Sequence, residues 1–263
     1  MTRILSIVNQ KGGVGKTTTT VNLATALAAV RKNVLIIDFD PQGNASTGLG
    51  IENSQRNLTS YDVILGDTPI ADAIQKTAVP QLHIVPSTID LSGAEIELVS
   101  LMRREYRLKN ALDNAPMKYD YVLIDCPPSL GLLTLNALVA SHGVLIPLQC
   151  EFYALEGLSH LMRTVELVKT NLNPELDIQG IVLTMYDRRN RFTEQIENEV
   201  RGYFGEKVYS SVIPRNVRMS EAPSHGKPAL IYDMHCAGSK AYIQLASELL
   251  KRERVRKKEL SAA

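Results

Sequence analysis

Short, uninterrupted apolar runs alternate along the chain with longer segments in which apolar residues recur every three or four positions. An uninterrupted apolar run is typical of a strand buried on both faces of a parallel sheet, and the longer period is typical of an amphipathic helix. The runs predict strands at 4–8, 34–38, 82–86, 121–125, 143–148, 178–185 and 207–213. The other segments predict helices at 18–30, 57–80 (two short helices that separate near 66–69), 93–115 (one or two helices), 130–140, 155–170, 192–204 and 239–254.

The alternation of strands and helices predicts an α/β fold with right-handed crossovers. We expect a mostly parallel twisted sheet of about seven or eight strands, with helices on both faces. The chain has 263 residues, no low-complexity stretch, no fixed-period repeat and no visible linker. We therefore expect a single domain over residues 1–263, in which residues 250–263 form a basic C-terminal tail.

Composition and charge narrow the classes of protein only slightly. The chain is 44% hydrophobic and has a net charge of +1, so the overall charge argues neither for nor against a nucleic-acid partner. Its three cysteines are unevenly spaced, which suits reduced thiols in a reducing compartment. The sequence shows neither a signal-type apolar core at its start nor a run long enough for a spanning helix, and we expect a cytoplasmic protein.

The first apolar run leads directly into a glycine-rich segment, which reads N-Q-K-G-G-V-G-K-T-T over residues 9–18. A strand that breaks into glycines and then a helix leaves backbone N–H groups free at the positive end of the helix dipole, which is a site for a polyphosphate. Lys16 can reach the β- and γ-phosphates, and the Thr17 hydroxyl can bind a magnesium ion. The segment departs from the common phosphate loop at Gln10, where that pattern has glycine, and adds Lys11. A glycine-rich turn that binds nothing is the alternative.

Two further strands end in aspartates. The strand at 34–38 ends in Asp38, with Asp40 two residues later in a turn-rich loop, and the strand at 121–125 ends in Asp125. In open α/β sheets, ligands bind at the carboxyl ends of the strands. Carboxylates suit magnesium, which prefers oxygen ligands and keeps several waters, so Asp125 is a candidate Walker B acid. The alternative is an aspartate that caps the next helix.

These motifs occur together in one known family. Residues 11–18 resemble the deviant Walker A loop of the ParA/MinD family of P-loop ATPases. Within that family, the chain is similar to the chromosomal ParA (Soj) branch in three further motifs. They are D-x-D-P-Q-G-N at 38–44, D-C-P-P-S at 125–129 and V-I-P-R-N-V-R-x-S-E-A-P-S-H-G-K-P at 212–228. The resemblance spans nearly the whole chain and implies an ATPase that is weak alone and depends on a dimer.

The resemblance implies roles for the residues of the loop. Lys11 resembles the family's signature lysine, which would reach across a nucleotide-sandwiched homodimer to the partner's phosphates and supply charge there, as an arginine finger does. Gly12 would lie at that dimer interface. The nucleotide-binding residues implied are Lys11, Gly12, Gly13, Val14, Gly15, Lys16, Thr17, Thr18, Pro214 and Asn216, the last two against the adenine.

The resemblance also implies how the magnesium ion and the attacking water are held. Thr17 would bind Mg²⁺ directly, and Asp38 and Asp125 would hold its shell through water. Asp40 resembles the residue that positions the attacking water. Together with Lys11 it is the implied catalytic residue, and the cofactors are ATP and Mg²⁺.

Basic residues cluster in two short segments of an otherwise balanced chain, and they bear on the partner. Arg189 and Arg218 match DNA-binding positions of the family, and their neighbours Arg188, Arg191 and Arg215 are further candidates for the same patch. An ATP-dependent dimer doubles this patch, so we expect sequence-independent binding to double-stranded DNA and association with the nucleoid. The alternative is ordinary surface charge. The resemblance also implies a centromere-binding partner of the ParB type that stimulates hydrolysis.

Two alternative functions would use a similar ATPase domain. A MinD-like ATPase that switches on a membrane needs an amphipathic C-terminal helix with a strong apolar face, but residues 251–263 offer Val255 and Leu260 among six basic residues. We therefore expect no stable membrane anchoring. A nitrogenase-like reductase needs cysteines from two subunits around an iron–sulfur cluster, and Cys126 and Cys150 do not match that arrangement.

Overall fold

The computed structural model describes residues 2–66, 68–115 and 118–262. The helix break expected near 66–69 includes residue 67, and the basic tail includes residue 263; both of these residues lie outside the described ones, as does the side chain of Leu260. Seven strands form one sheet, in the order β3-β4-β2-β5-β1-β6-β7. They are β1 Arg3–Ile7, β2 Val34–Asp38, β3 Gln75–Lys76, β4 Leu82–Val85, β5 Tyr121–Asp125, β6 Gly143–Gln149 and β7 Asp177–Thr184.

The predicted α/β architecture is confirmed. All neighbouring strands are parallel except β3, which pairs antiparallel with β4. The helices are α1 Lys16–Ala29, α2 Asn44–Gly48, α3 Ser60–Leu65, α4 Ile70–Ala73, α5 Leu91–Glu97, α6 Arg107–Asp113, α7 Leu132–Ala140, α8 Ala154–Asn171, α9 Arg191–Phe204, α10 Val217–Glu221, α11 Ala229–Tyr232 and α12 Ala237–Ala262.

The sheet is covered on both faces, as predicted, and the alternation of β2 shows how. Leu35 and Ile37 belong to the apolar core that also contains the buried residues of α5 to α9. Val34 and Ile36 belong to a second core, formed with α1 and α12. Successive side chains of a strand point to opposite faces, so one apolar run supplies both cores. This is why the strand is apolar from Val34 to Ile37.

The prediction of a strand at 207–213 is wrong. Residues Gly205–Lys207 form a 3₁₀ turn. The chain beyond it meets β7 at separate points, through an isolated bridge between Ile181 and Val208 and a hydrogen bond from the N–H of Ile213 to the carbonyl of Leu183 at 2.8 Å, and forms no continuous strand among the described residues. The backbone N–H groups of Ser210 and Ser211 donate to the Glu248 carboxylate of α12 at 2.9 Å each, instead of to a strand. The carboxylate of Glu248, which is distant in sequence, therefore takes the place of the hydrogen bonds that a neighbouring strand would supply.

The remaining differences concern short elements and helix ends. The sequence did not predict β3, α2, α10 or α11, each of which has five residues or fewer. The segment 93–115 contains α5 and α6 separated by two 3₁₀ turns, and the last helix is longer than predicted. Within the described part of the chain, no helix is both long enough and apolar enough to cross a bilayer.

Candidate nucleotide-binding site

The phosphate loop and two of the predicted acids meet at the carboxyl edge of the sheet. Strand β5 lies between β1 and β2, and its last residue, Asp125, is in register with both Ile7 and Asp38. The loop after Ile7 leads to Lys16, the first residue of α1. Three neighbouring strands thus deliver the loop and two carboxyls to one point.

The loop is held in shape by side chains on both sides. The Asn9 side chain accepts the Lys11 N–H at 3.0 Å and donates to the carbonyl of Pro147 at 2.7 Å. The Thr184 hydroxyl donates to the carbonyl of Val14 at 2.8 Å. Gly15 adopts a φ of 88° and precedes α1 without any side-chain cap. The first N–H groups of α1 are therefore left for an anion.

Lys16 is the buried cation of the site. Its side chain turns back over the loop, its Nζ donates to the carbonyl of Lys11 at 3.1 Å, and the residue is 6% exposed. Burial lowers the pKa of Lys16, whereas the charges of Asp125 and Asp40 raise it. A phosphate beside this ammonium would gain a charge-assisted contact in a poorly hydrated place.

Asp38 and Asp125 are fully buried, and each satisfies only one of its oxygens. Asp38 Oδ2 accepts the N–H and the hydroxyl of Ser46 at 2.8 and 2.6 Å, and Asp125 Oδ1 accepts the Thr20 hydroxyl at 2.9 Å. The other oxygens, Asp38 Oδ1 and Asp125 Oδ2, have no hydrogen-bond partner among the residues that the structure describes. Burial raises the pKa of both carboxyls, and the Asp38 charge further raises that of Asp125.

The unpartnered oxygens fit a hydrated magnesium ion. Two orphaned carboxylate oxygens beside the Thr17 hydroxyl can accept from its waters, while the ion offsets their charge. Within the described residues, no group of three or more His, Cys, Asp or Glu side chains is arranged to hold a metal directly.

We expect Asp125→Asn to stabilise the magnesium-free protein at alkaline pH. Because the pKa of Asp125 is raised to about 8, the folded state binds a proton more tightly than the unfolded state, and stability falls as pH rises from about 4 to about 8. The amide removes this penalty, so its free energy of unfolding near pH 8 should rise by on the order of 2 kcal/mol. Urea unfolding at both ends of this pH window measures the difference.

The matched control for this substitution is Asp113→Asn, at an exposed aspartate of α6 that pairs with Lys109. It should show no gain in stability at alkaline pH. A gain from Asp125→Asn that is equally large near pH 5 would contradict the prediction, since the carboxyl is then protonated in the folded state.

Asp40 lies in the loop that follows β2. It is 7% exposed, and its Oδ1 accepts the N–H of Gln42 at 3.0 Å, while its carbonyl accepts the N–H of Gly43 at 2.9 Å. The side chain is therefore oriented by its own loop and faces the same edge as Lys16, whose pKa it raises.

Lys11 and Gly12 lie on the exposed side of the loop. The Lys11 ammonium is half exposed and pairs with Glu151, just before α8. Apart from the chain neighbours of Gly12, no atom of the described residues lies within 4 Å of the position that a Cβ on this residue would occupy, so contacts within this part of the chain do not require glycine there. The assignment of both residues to a dimer interface stays a prediction.

Pro214 and Asn216 line a cavity of about 290 Å³ next to the phosphate loop. Gly15 and Thr18 form its wall on the loop side, and Met219 closes another side. The fold therefore brings the segment predicted to contact adenine beside the loop predicted to hold the phosphates. The cavity is small and partly apolar, as a planar base requires.

The two basic segments are adjacent. The N–H of Arg215 donates to the carbonyl of Tyr186 at 3.2 Å, which joins the segment after β7 to the one before α10. All five predicted DNA-binding residues are exposed; they are Arg188, Arg189, Arg191, Arg215 and Arg218.

Arg189 and Arg218 each have acidic partners that the sequence analysis did not assign. Arg189 pairs with Asp187 through Nε and Nη2, at 3.0 and 3.1 Å. Arg218 pairs with Glu221 at 2.8 Å and approaches Asp233 at 3.7 Å. Spacings of two and three residues made the first two pairs predictable. Nothing local signals the pairing of Lys11 with Glu151.

Comparison with known proteins places the chain in a family. Residues 2–178 match a family model described as an AAA domain. The chain is 61% identical over 258 residues to the chromosome partitioning protein ParA of Caulobacter vibrioides, covering 97% of this chain and 96% of that protein. It is 55% identical over 249 residues to the sporulation initiation inhibitor protein Soj of Bacillus subtilis, covering 95% and 98%.

A solved structure with a bound nucleotide also matches nearly the whole chain. The structure of a Mycobacterium smegmatis protein described as cobyrinic acid a,c-diamide synthase, with bound ADP and magnesium, is 37% identical, with a TM-score of 0.84. The match covers 97% of this chain and 96% of that one. The chain therefore belongs to the ParA/MinD family of P-loop ATPases, in its chromosomal ParA (Soj) branch.

Proposed function

We propose that this chain is a partitioning ATPase that binds DNA as an ATP-bound homodimer and is released on hydrolysis. The observation that carries the proposal is the meeting of a buried lysine, Lys16, with two half-satisfied carboxylates, Asp38 and Asp125, at the start of an uncapped helix. That arrangement suits a magnesium–triphosphate and leaves a protein without it poorly balanced in charge. The relatives named ParA and Soj support the partitioning role.

Each group of the chain has one task in this proposal. The N–H groups of the loop and Lys16 bind the phosphates, with Pro214 and Asn216 against the adenine. Thr17, Asp38 and Asp125 hold the magnesium and its waters, and the ion supplies charge stabilisation to the phosphates. Asp40 orients the attacking water. Phosphoryl transfer depends mainly on such positioning and electrostatics.

The dimer follows from the position of Lys11. In the single chain this lysine pairs with Glu151 and lies outside the phosphate cradle. An exposed ion pair contributes at most about 1 kcal/mol, so a triphosphate presented by a second copy can displace Glu151. The site is then complete only in the dimer, which keeps hydrolysis slow in the monomer. A partner of the ParB type would stimulate hydrolysis and so return the protein to its unbound state.

DNA binding follows from the arginine patch. Asp187 and Glu221 partly neutralise Arg189 and Arg218, but the Arg189 side chain is 90% exposed, so a DNA phosphate can replace its partner at little cost. One such patch binds weakly. Two patches fixed in one dimer bind far better, through effective concentration and release of counterions, with no dependence on base sequence.

We expect Arg189→Ala combined with Arg218→Ala to weaken DNA binding by at least about tenfold at low salt, equally for unrelated sequences. The dependence of log Kd on log salt should also become shallower, because fewer phosphates are neutralised. Fluorescence anisotropy with two unrelated duplexes measures both quantities. Arg163→Ala with Lys169→Ala, on α8, is the charge-matched control. Unchanged DNA binding by the Arg189 and Arg218 variant would place the DNA surface elsewhere.

The test of the function is binding to DNA and to vesicles with ADP, with ATP and with a non-hydrolysable ATP analogue. Binding to DNA only with a triphosphate, together with a doubling of mass in light scattering, is the expected result. Triphosphate-dependent binding to anionic vesicles instead would favour a MinD-like membrane ATPase. The described part of α12 argues against that reading, because charged residues dominate its last turns and Val255 is half exposed among them.

A further inference from the structure

Arg56 is a buried arginine, 8% exposed, that no motif in the sequence singles out. Its Nε and Nη2 donate to the carbonyl of Ile51 at 3.1 and 2.7 Å, and Nη2 also donates to the Thr47 hydroxyl at 2.8 Å. Its Nη1 donates to the carbonyls of Ser87 and Gly43, at 2.9 and 3.4 Å. All of these acceptors are neutral. The guanidinium therefore acts as a tie between three segments of backbone rather than as half of an ion pair.

The segments tied by Arg56 are the ones that hold the acids of the site. The N–H of Gly43 donates to the carbonyl of Asp40 at 2.9 Å, which closes the turn that carries the Asp40 side chain. The N–H of Ser87 donates to the Ser46 hydroxyl at 3.1 Å, and that hydroxyl donates to Asp38 at 2.6 Å. Hydrogen bonds thus run from Arg56 through Gly43 to Asp40, and through Ser87 and Ser46 to Asp38.

Arg56 packs closely against the loop that contains Gly43. A Cβ on Gly43 would lie 2.4 Å from Arg56 Nη1 and 2.8 Å from the carbonyl of Ser87, and Gly43 has a φ of 60°, which favours glycine. The loop can therefore approach the guanidinium this closely only because position 43 lacks a side chain. Asp38 lies near enough for its charge to favour the charged form of Arg56 against burial.

We propose that Arg56 is a positioning residue for ATP hydrolysis, which ties the Asp40–Gly43 turn to α2 and to the loop after β4 and so holds the Asp40 carboxylate toward the attacking water. The inference rests on the proposed role of Asp40. Lysine cannot replace this arginine, since one ammonium cannot donate in the plane of a fork to three segments at once. Small errors in the position of a catalytic group are costly, whereas in the proposed function the phosphate loop and Lys16, and not this turn, bind the phosphates.

The test is steady-state hydrolysis of Mg-ATP by Arg56→Lys, which keeps the charge and loses the fork. We expect kcat to fall at least about tenfold and KM for ATP to change by less than about threefold, because the phosphates are held by the loop and Lys16. In an Asp40→Ala background the same substitution should cause no further fall, because Arg56 acts through Asp40. A normal kcat, or an equal fall in that background, overturns the inference.

Arg107→Lys is the matched control. Like Arg56, Arg107 donates to backbone carbonyls, those of Ile64 and Leu65, but these lie at the end of α3 and do not join the loop of Asp40. Its kcat should stay within about twofold of the parent protein. If thermal melting shows that Arg56→Lys does not fold, Thr47→Val decides: it removes the one side-chain acceptor of Arg56 and should lower kcat about threefold with KM unchanged.

The proposed role of Asp40 and the proposed role of Arg56 can be contradicted independently of each other. Normal turnover by Asp40→Ala would contradict the proposed function of that residue. Slow turnover by Asp40→Ala together with normal turnover by Arg56→Lys and Thr47→Val would contradict only the role of Arg56.

Discussion

Replacing Asp40 with alanine is expected to lower ATP turnover by about 100-fold or more while ATP remains bound. The Asp40 carboxylate is turned inward, is oriented by the N–H of Gln42 and faces the same carboxyl edge as Lys16. Within the described residues it makes no hydrogen bond to the phosphate loop, so its loss should remove the group proposed to orient water and leave the loop intact. Single-turnover hydrolysis with excess protein measures the rate.

The same variant should accumulate as an ATP-bound dimer, because hydrolysis is the step that separates the two copies in the proposed cycle. Light scattering with ATP should show twice the monomer mass, and the variant should stay on DNA longer than the parent protein. Asp90→Ala is the control: Asp90 follows β4 at the same edge, and its side chain accepts the Thr88 hydroxyl at 3.1 Å. Turnover by Asp40→Ala at the parent rate would contradict the assignment.

The parts of the fold that could be predicted are those in which a local signal and the tertiary environment agree. The run at Val34–Asp38 has the same bounds in sequence and structure, since it is apolar from Val34 to Ile37 and is buried on both faces. The run at 207–213 is apolar in part, but Glu248, far along the chain, captures the N–H groups of Ser210 and Ser211. No window of sequence contains that competition.

The same distinction applies to the site. The phosphate loop is one continuous segment, and Asp38 and Asp125 are each the last residue of a strand, so residue type and position predict them. Arg56 and Glu151 act through contacts with segments that are distant in sequence. The sequence therefore predicts the groups that would contact the nucleotide and misses the groups that hold them in place.

The buried charged groups of the site influence one another's pKa values. Lys16 is the one buried cation close enough to Asp40 and Asp125 for their charges to raise its pKa, among the residues that the structure describes, and Arg56 faces Asp38 from the other side. Three buried carboxyls thus stand against two cations. Burial, together with the charge of neighbouring carboxylates, raises the pKa values of Asp38 and Asp125, so the protein without ligand keeps part of this negative charge neutralised by protons. Magnesium binding should therefore release protons.

Replacing Lys16 with alanine should weaken ATP binding by at least about 100-fold, or roughly 2.7 kcal/mol. The ammonium is buried, it contacts no carboxylate directly, and the carbonyl of Lys11 fixes it over the loop. A phosphate would therefore receive a charge that has already lost its water, which strengthens the contact. Calorimetric titration with a non-hydrolysable ATP analogue and Mg²⁺ measures the affinity, and thermal melting shows whether the variant is folded.

Lys11→Ala is the informative comparison, because it removes a lysine only five residues away whose ammonium is half exposed and pairs with Glu151. It should bind the analogue within about threefold of the parent protein, yet fail to dimerise and to hydrolyse ATP. If Lys16→Ala bound normally and Lys11→Ala did not, the two lysines would have exchanged roles. The predicted pair of results would distinguish Lys16, proposed to bind the nucleotide within one chain, from Lys11, proposed to contact the triphosphate held by a second copy.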